Sequence, residues 1–358
     1  MKIWDLGEAK EYLEKVVSAG EIPGFSLCAL TKDESESFVY GNASIIPEVK
    51  KLEKDMLYDL ASLTKVVSTT TITLKCIEKG FLSLDTKICE VLKDCPYPDV
   101  TIKHILTHTS GIIYDDKEYK KLHGKEEIKK FIFKHPLSFA PGTKVEYSDF
   151  GYVVLGFVIE ELVGEIDEVA RSWIFEPLEM KNTFYTPLKY INKENIVPCE
   201  DTKDRGLAWG EVHDGKAYRL DGLSGNAGLF SNAEDLSHFV QMLLNNGLYK
   251  GKRILSPSTI NNLKKCYTER LNLRRTLGWF VNEQSAPMGD YYSERCLFHT
   301  GFTGTSIYVD FDREVGIILL TNRIHPSRDN LNIAHIRNIC HNLLLKSYDE
   351  GKEVRKCQ

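Results

Sequence analysis

Tyr58-Asp59-Leu60-Ala61-Ser62-Leu63-Thr64-Lys65-Val66 marks the point where a short β-rich segment gives way to a helical one, and it holds the chain's only Ser-x-x-Lys. On a helix, positions i and i+3 share a face, so the Lys65 ammonium can reach the Ser62 hydroxyl. A serine hydroxyl needs a neighbour to take its proton before it attacks a carbonyl at neutral pH, and this pairing supplies one without histidine. A serine at a helix start also lies beside unpaired backbone N–H groups, which favour a developing oxyanion. The tetrapeptide alone is equally the signature of a capped, lysine-decorated helix, so its meaning depends on what surrounds it.

Working outward, residues 6–19 read as an opening helix closed by Gly20. Phe25 to Leu30 and Ser37 to Tyr40 read as a hairpin across Thr31-Lys32-Asp33-Glu34. From Ser62 to about Leu178 the pattern is mostly helical, with helices expected at 63–79, 126–134 and 150–163. Ser231-Asn232-Ala233-Glu234 reads as a capping box for a helix running to Asn246. Strand character returns at Gly278–Val281, Cys296–His299, Thr305–Phe311 and Val315–Thr321, and a last helix is expected over 329–346. The predicted fold class is therefore α+β, with one antiparallel sheet built from both chain ends, flanking helices and an inserted mostly helical lobe. The corresponding division is 1–58 with 276–346 for the sheet lobe, 59–275 for the helical lobe, and 347–358 for a charged tail.

Composition narrows the function. A net charge of -5 with interspersed lysines and acids gives no basic face for nucleic acid, and the lysine-rich stretch Lys117 to Lys134 reads as a solvated helix face. No window is apolar for long enough to span a membrane. Nine scattered cysteines without a Cys-x-x-Cys pair fit reduced thiols rather than disulfides or zinc, and the acidic, amphipathic first residues do not read as a signal peptide. The expected location is the cytoplasm. His104 and His108 have zinc-compatible spacing but lack the glutamate and third ligand of a metal site. No metal or organic cofactor is expected.

Two further segments bear on Ser62. In Glu146-Tyr147-Ser148-Asp149-Phe150-Gly151-Tyr152, a tyrosine sits at a loop-to-helix junction, where nearby ammonium groups are expected to lower its pKa into the range of a base. In Phe298-His299-Thr300-Gly301-Phe302-Thr303-Gly304, glycines in a strand allow a peptide-like substrate to lie along the sheet edge, and the Phe302 N–H is placed to join that of Ser62 as an oxyanion donor. Taken singly, Tyr147 reads more readily as a gap-filling aromatic and His299 as a satisfied polar residue beside a bulge.

Together, Ser62-x-x-Lys65, Tyr147-Ser148-Asp149 and His299-Thr300-Gly301 resemble the ordered motifs of the serine β-lactamase and penicillin-binding-protein superfamily, in its class C β-lactamase and DD-peptidase branch. The resemblance extends to Thr101–Gly111, Gly225–Ser231 and Thr321–Pro326, covering about residues 20–345. It implies that Ser62 is acylated, that Lys65 and Tyr147 handle the proton with either as the formal base, and that His299, Thr300 and Gly301 line the opposite wall. Asn322 and Arg323 are implied to contact the far end of the substrate. Asp149 departs from the asparagine of the family's β-lactamases, so it can pair with Lys65 or select a substrate N–H but not donate to a carbonyl. His299 departs from the common lysine, and when neutral it anchors a carboxylate less well. The implied activity is cleavage of an amide or ester in small cell-wall-derived or D-amino-acid peptides, with a carboxylesterase or weak β-lactamase as the catalytic alternative. A catalytically silent peptide-binding protein is the alternative outside catalysis. The partner is a small molecule or short peptide, and the oligomeric state is left open.

Overall fold

The computed structural model describes residues 4–356; Met1 to Ile3, Cys357 and Gln358, which figure in the reading of the N-terminus, cysteines and tail, lie outside the described residues. Helix α1 (Gly7–Ser18) leads into strands β1 (Gly24–Thr31), β2 (Ser35–Ser44) and the short β3 (Lys50–Lys51). Far along the chain come β4 (Cys296–Thr300), β5 (Ser306–Asp310) and β6 (Val315–Thr321). The six form one antiparallel sheet in the order β4-β5-β6-β1-β2-β3, closed where β1 pairs with β6 in the register Phe25 to Thr321 and Thr31 to Val315. Both chain ends thus build the sheet, as the strand pattern predicts.

Successive side chains alternate faces, so an unbroken apolar run such as Ile317-Ile318-Leu319-Leu320 requires cover on both sides. On one face Phe25, Leu27, Phe298, Ile317 and Leu319 pack with Leu13 of α1 and Ile336 and Leu344 of the C-terminal helix. On the other, Cys28, Leu30, Ile307, Ile318 and Leu320 join the large core that contains Leu236, Phe239 and Val240.

The helix following Ser62 starts as a 3-10 turn (Ala61–Leu63), passes through a π-type segment (Lys65–Thr70) and becomes α2 (Thr71–Glu78). Later come α3 (Asp149–Val163), the one-turn α4 (Gly215–Tyr218), α5 (Ala233–Leu244) and α6 (Ile333–Lys356). Among the described residues, no helix is long and apolar enough to cross a membrane.

Three expectations need correction. The cap of α5 is Asn232, whose side chain accepts from the Asp235 N–H at 2.9 Å, because Ser231 is the last residue of a short strand paired with Tyr58. Gly278–Val281 makes only isolated bridges, through Phe280 to Arg275 and Phe298. The charged stretch expected as a tail from 347 continues α6 to Lys356. Ser347 donates to the Asp5 carbonyl at 2.7 Å, the Tyr348 hydroxyl to the Arg313 carbonyl at 2.9 Å, and Arg313 grips both oxygens of Asp349 at 2.9 and 2.8 Å, so these polar residues find partners on the body of the protein.

Candidate active site

Ser62 sits just after a strand pair, Tyr58–Asp59 against Leu229–Ser231, that brings the chain in beside the edge strand β4. The approach ends in a sharp turn with Ala61 at φ 47°, a left-handed conformation that costs a non-glycine residue about 1–2 kcal/mol. The buried Asp59 carboxylate holds that turn, accepting the Ala61 N–H at 2.8 Å with one oxygen and the His213 N–H at 2.7 Å with the other.

One turn on, Lys65 is fully buried, and its three donors are all used. Its Nζ donates to Ser62 Oγ at 2.9 Å, Asp149 Oδ1 at 2.8 Å and the Asn226 carbonyl at 2.8 Å. The carbonyl arrives there because Gly225 packs backbone to backbone on α3: a Cβ at Gly225 would lie 2.1 Å from the Tyr152 carbonyl and 2.9 Å from the Gly156 nitrogen. Burial works against the Lys65 ammonium, but the Asp149 charge, helped by Tyr147, overrides it and raises the pKa above the usual lysine value. Asp149 in turn is pushed up by burial and pulled further down by Lys65 and Lys216, so it is held well below the ordinary carboxylate range.

Tyr147 precedes Ser148, the cap of α3, and its ring centre lies 4.9 Å from Lys65 Nζ. His108 packs against the ring with centroids 4.5 Å apart, and its Nδ1 accepts from the Ser148 N–H at 3.1 Å. The phenol does not become more acidic, as the sequence leads one to expect. Burial is the largest influence and raises its pKa, Lys65 pulls it down and Asp149 raises it again, leaving a net upward shift.

His299 is buried on β4, with Nδ1 2.9 Å from the Thr300 carbonyl, so Nδ1 carries the proton and Nε2 is buried with no hydrogen-bond partner among the described residues. Burial first, then Arg275 and Lys65, hold its pKa well below the usual histidine value, and the ring is neutral. Gly301 is required by contact: a Cβ there would lie 2.1 Å from Thr305 Oγ1 and 2.4 Å from the Leu60 carbonyl. That fit presses β4 against the Ser62 turn. The next residue, Phe302, has an N–H with no protein acceptor among the described residues, and its half-exposed ring stacks on His213 at 5.7 Å.

Ser62, Tyr147, Asp149, His299, Thr300 and Phe302 all line one cleft of about 720 Å³, and Lys65 lies beneath it. Asn322 and Arg323 do not line it. Asn322 donates to the Ala43 carbonyl of β2 at 2.7 Å, and Arg323 to the carbonyls of Phe302 and Asn330 at 3.1 and 2.6 Å, so Asn322 ties a strand and Arg323 braces loops outside the cleft. Sequence reasoning missed Lys216, whose Nζ lies 3.2 Å from Asp149 Oδ2, and Arg275, buried over the Phe280 ring at 3.5 Å. Also missed was the group in which Glu200 takes His213 Nε2 at 2.8 Å and the Arg328 guanidinium on both oxygens. Asp214 ahead of a short helix was the only local signal, an N-cap; the other contacts join segments too distant for spacing to reveal.

A nucleophile-type hydroxyl on a buried lysine, at the floor of a cleft with an open backbone donor, defines a serine hydrolase. The chain belongs to the β-lactamase family, whose model, described as Beta-lactamase, matches residues 9–340. It is 30% identical to N-acetylmuramyl-L-alanine amidase of Bacillus subtilis (strain 168), over 89% of this chain and 81% of that protein. Its fold is similar to simvastatin synthase from Aspergillus terreus (LovD6 mutant), with a TM-score of 0.76 at 18% identity over 96% and 98% of the two chains. It is also similar to EstCE1, a hydrolase with promiscuous acyltransferase activity, with a TM-score of 0.72 at 21% identity over 93% and 98%.

Proposed function

We propose that Ser62 is the nucleophile of an amide-cleaving reaction on small cell-wall-derived peptides. The supporting observation is the 2.9 Å contact between Lys65 Nζ and Ser62 Oγ at the cleft floor. Ser62 Oγ attacks the carbonyl carbon, its proton passes into the Lys65–Tyr147 pair, and the N–H groups of Ser62 and Phe302 hold the oxyanion. The same proton leaves with the amine, and water then releases the acyl group from Ser62. Thr300 and the neutral His299 line the cleft along β4 where the substrate lies, while the Gly301 N–H and carbonyl are taken up within the protein by the Thr305 carbonyl and the Gly304 N–H. Arg323 keeps the loop carrying Phe302 in place, and Asn322 ties the end of β2, so both act from outside the cleft.

The substrate class follows from the amidase relative, which acts by its name on an N-acetylmuramyl-L-alanine linkage. The cleft supports it, since its lining carries Lys120, Arg205 and Arg219 beside the carboxylates of Asp204 and Asp214, a mixed-charge wall suited to a peptide with both charges. All eight described cysteines are free thiols, which supports a cytoplasmic site of action on recycled fragments. Ester cleavage is a second reading, favoured by the neutral His299, which offers no cation to a carboxylate at β4.

Incubation with a fluorophosphonate followed by intact mass is expected to show one adduct on the native chain and none on Ser62→Ala. Equal labelling of both removes Ser62 as nucleophile. Turnover of muramyl-L-alanyl peptides above that of short-chain esters and a chromogenic cephalosporin is expected. Turnover of esters alone overturns the amidase reading in favour of the second.

A further inference from the structure

Lys216 belongs to none of the motifs around Ser62, yet it is tied to Lys65 by two routes. The first is Asp149, whose Oδ1 takes Lys65 at 2.8 Å and whose Oδ2 takes Lys216 at 3.2 Å. The second is Asp214, the cap of α4, whose Oδ1 accepts the Lys216 N–H at 3.0 Å and Asn226 Nδ2 at 2.9 Å, while the Asn226 carbonyl takes Lys65. The Lys216 side chain is 19% exposed on the cleft wall, and its ammonium lies 5.2 Å from the Phe150 ring and 5.4 Å from that of Tyr119. Lys216 is thus held in place by the α4 cap and the aromatic pair, and aimed at Asp149.

Asp149 thus carries two ammonium groups, one on each oxygen, and Asp214 lies beside Lys216. A lone Asp149–Lys65 pair would favour protonated Lys65, which has no lone pair for the Ser62 proton. A second cation on the same carboxylate opposes that preference. We propose that Lys216 is a positioning residue of the acylation step, which shares Asp149 with Lys65 and so lets Lys65 shed its proton and receive that of Ser62. This rests on the reading of Ser62 as nucleophile.

The surroundings isolate the effect. The other titratable and charged groups facing Lys65 are Tyr147 and Tyr152 beside and on α3, His299 on β4, His108 just after the short helix Ile102–Leu106, and Arg275. Lys216 additionally faces Asp214 and Tyr119. Burial first of all lifts the three phenols and depresses both imidazoles, which leaves them neutral. Arg275, brought down to about 10 by its own burial, stays cationic near neutral pH. The change of charge that governs attack therefore falls within the Lys65–Asp149–Lys216 group, which titrates as a unit.

The test is the second-order rate of Ser62 labelling by a fluorophosphonate against pH, on the full chain, for the native protein, Lys216→Met and Lys216→Arg. Lys216→Met is expected to move the acidic limb up by about one pH unit, so labelling below the midpoint is about tenfold slower and converges with native at high pH. Lys216→Arg is expected to keep the native midpoint. Slowing by one factor at every pH, or a Lys216→Met profile superimposed on the native one, overturns the inference while leaving Ser62 as nucleophile. Labelling of Ser62→Ala at the native rate removes the underlying reading instead. Should Lys216→Met fail to fold by circular dichroism, Lys216→Gln, which keeps a donor toward Asp149 without the charge, gives the same comparison.

Discussion

Lys65 Nζ lies 2.8 Å from Asp149 Oδ1 in a setting where the lysine is wholly buried, so each charge is the main compensation for burial of the other. Asp149 raises the proton affinity of Lys65 above the usual lysine value, which works against a base role. Asp149→Asn removes that charge and keeps an oxygen acceptor. The neutral form of Lys65 then appears at lower pH, and the acidic limb of fluorophosphonate labelling is expected to move down by one unit or more. A buried ammonium without its partner also costs stability, on the order of 3 kcal/mol. Labelling rates across pH, with urea unfolding at pH 7, check both effects, and an unchanged or higher midpoint refutes the first.

The sheet and the order of the motifs were legible because they rest on local signals. Alternating or continuous apolar runs such as Val315–Thr321 give strands, and Ser62-x-x-Lys65 gives a shared helix face. Tyr147, Asp149, His299 and Phe302 converge on one cleft, as their motifs suggest. What could not be read is whatever depends on contacts between distant segments. The Tyr147 phenol moves the opposite way from expectation because burial, aided by Asp149, outweighs the ammonium. Asn322 and Arg323 turn away because the carbonyls of Ala43 and Phe302 capture them. The end of α6 reads as a tail by composition alone, since Arg313, the partner of Asp349, lies 36 residues upstream.

Asp59 controls the Ser62 turn without reaching the cleft. Its two oxygens accept from the N–H groups of Ala61 and His213, and Asp59→Asn would point an amide N–H at one of those donors. With Ala61 left-handed, a loosened latch lets the turn relax and displaces Ser62. Loss of about 1–3 kcal/mol of stability is expected, together with slower labelling by the same factor across pH. A native labelling rate in a folded Asp59→Asn protein would show that the turn holds itself.

Gly301→Ala tests the contact between β4 and the Ser62 turn. The added methyl would lie 2.4 Å from the Leu60 carbonyl, a backbone atom that cannot swing aside, so β4 must retreat and carry the Phe302 N–H with it. Misplacing one oxyanion donor costs about 10²–10³ in rate. Labelling of Gly301→Ala is expected to fall by about that factor, with a lower thermal midpoint. A stable Gly301→Ala protein labelling at the native rate would exclude Phe302 as the second donor.

Glu200 gives the stability of the cleft wall a sign in pH. Burial alone would raise its pKa, but Arg328 and His213 overcome that and bring it down to about 2 from an ordinary 4.5. A carboxylate with a depressed folded-state pKa stabilises the fold above its unfolded value and loses that contribution as pH falls toward the folded one. Half exposure of Arg328 reduces the gain, leaving on the order of 2 kcal/mol at pH 7. Glu200→Gln is therefore expected to be less stable than native by about that amount in urea unfolding at pH 7, with the gap narrowing steadily below pH 4.5. Since Phe302 stacks on His213, which Glu200 holds, the same variant is expected to slow labelling by a few-fold at neutral pH. A stability difference that stays constant from pH 7 to pH 3 would place the contribution of Glu200 in packing rather than in its charge.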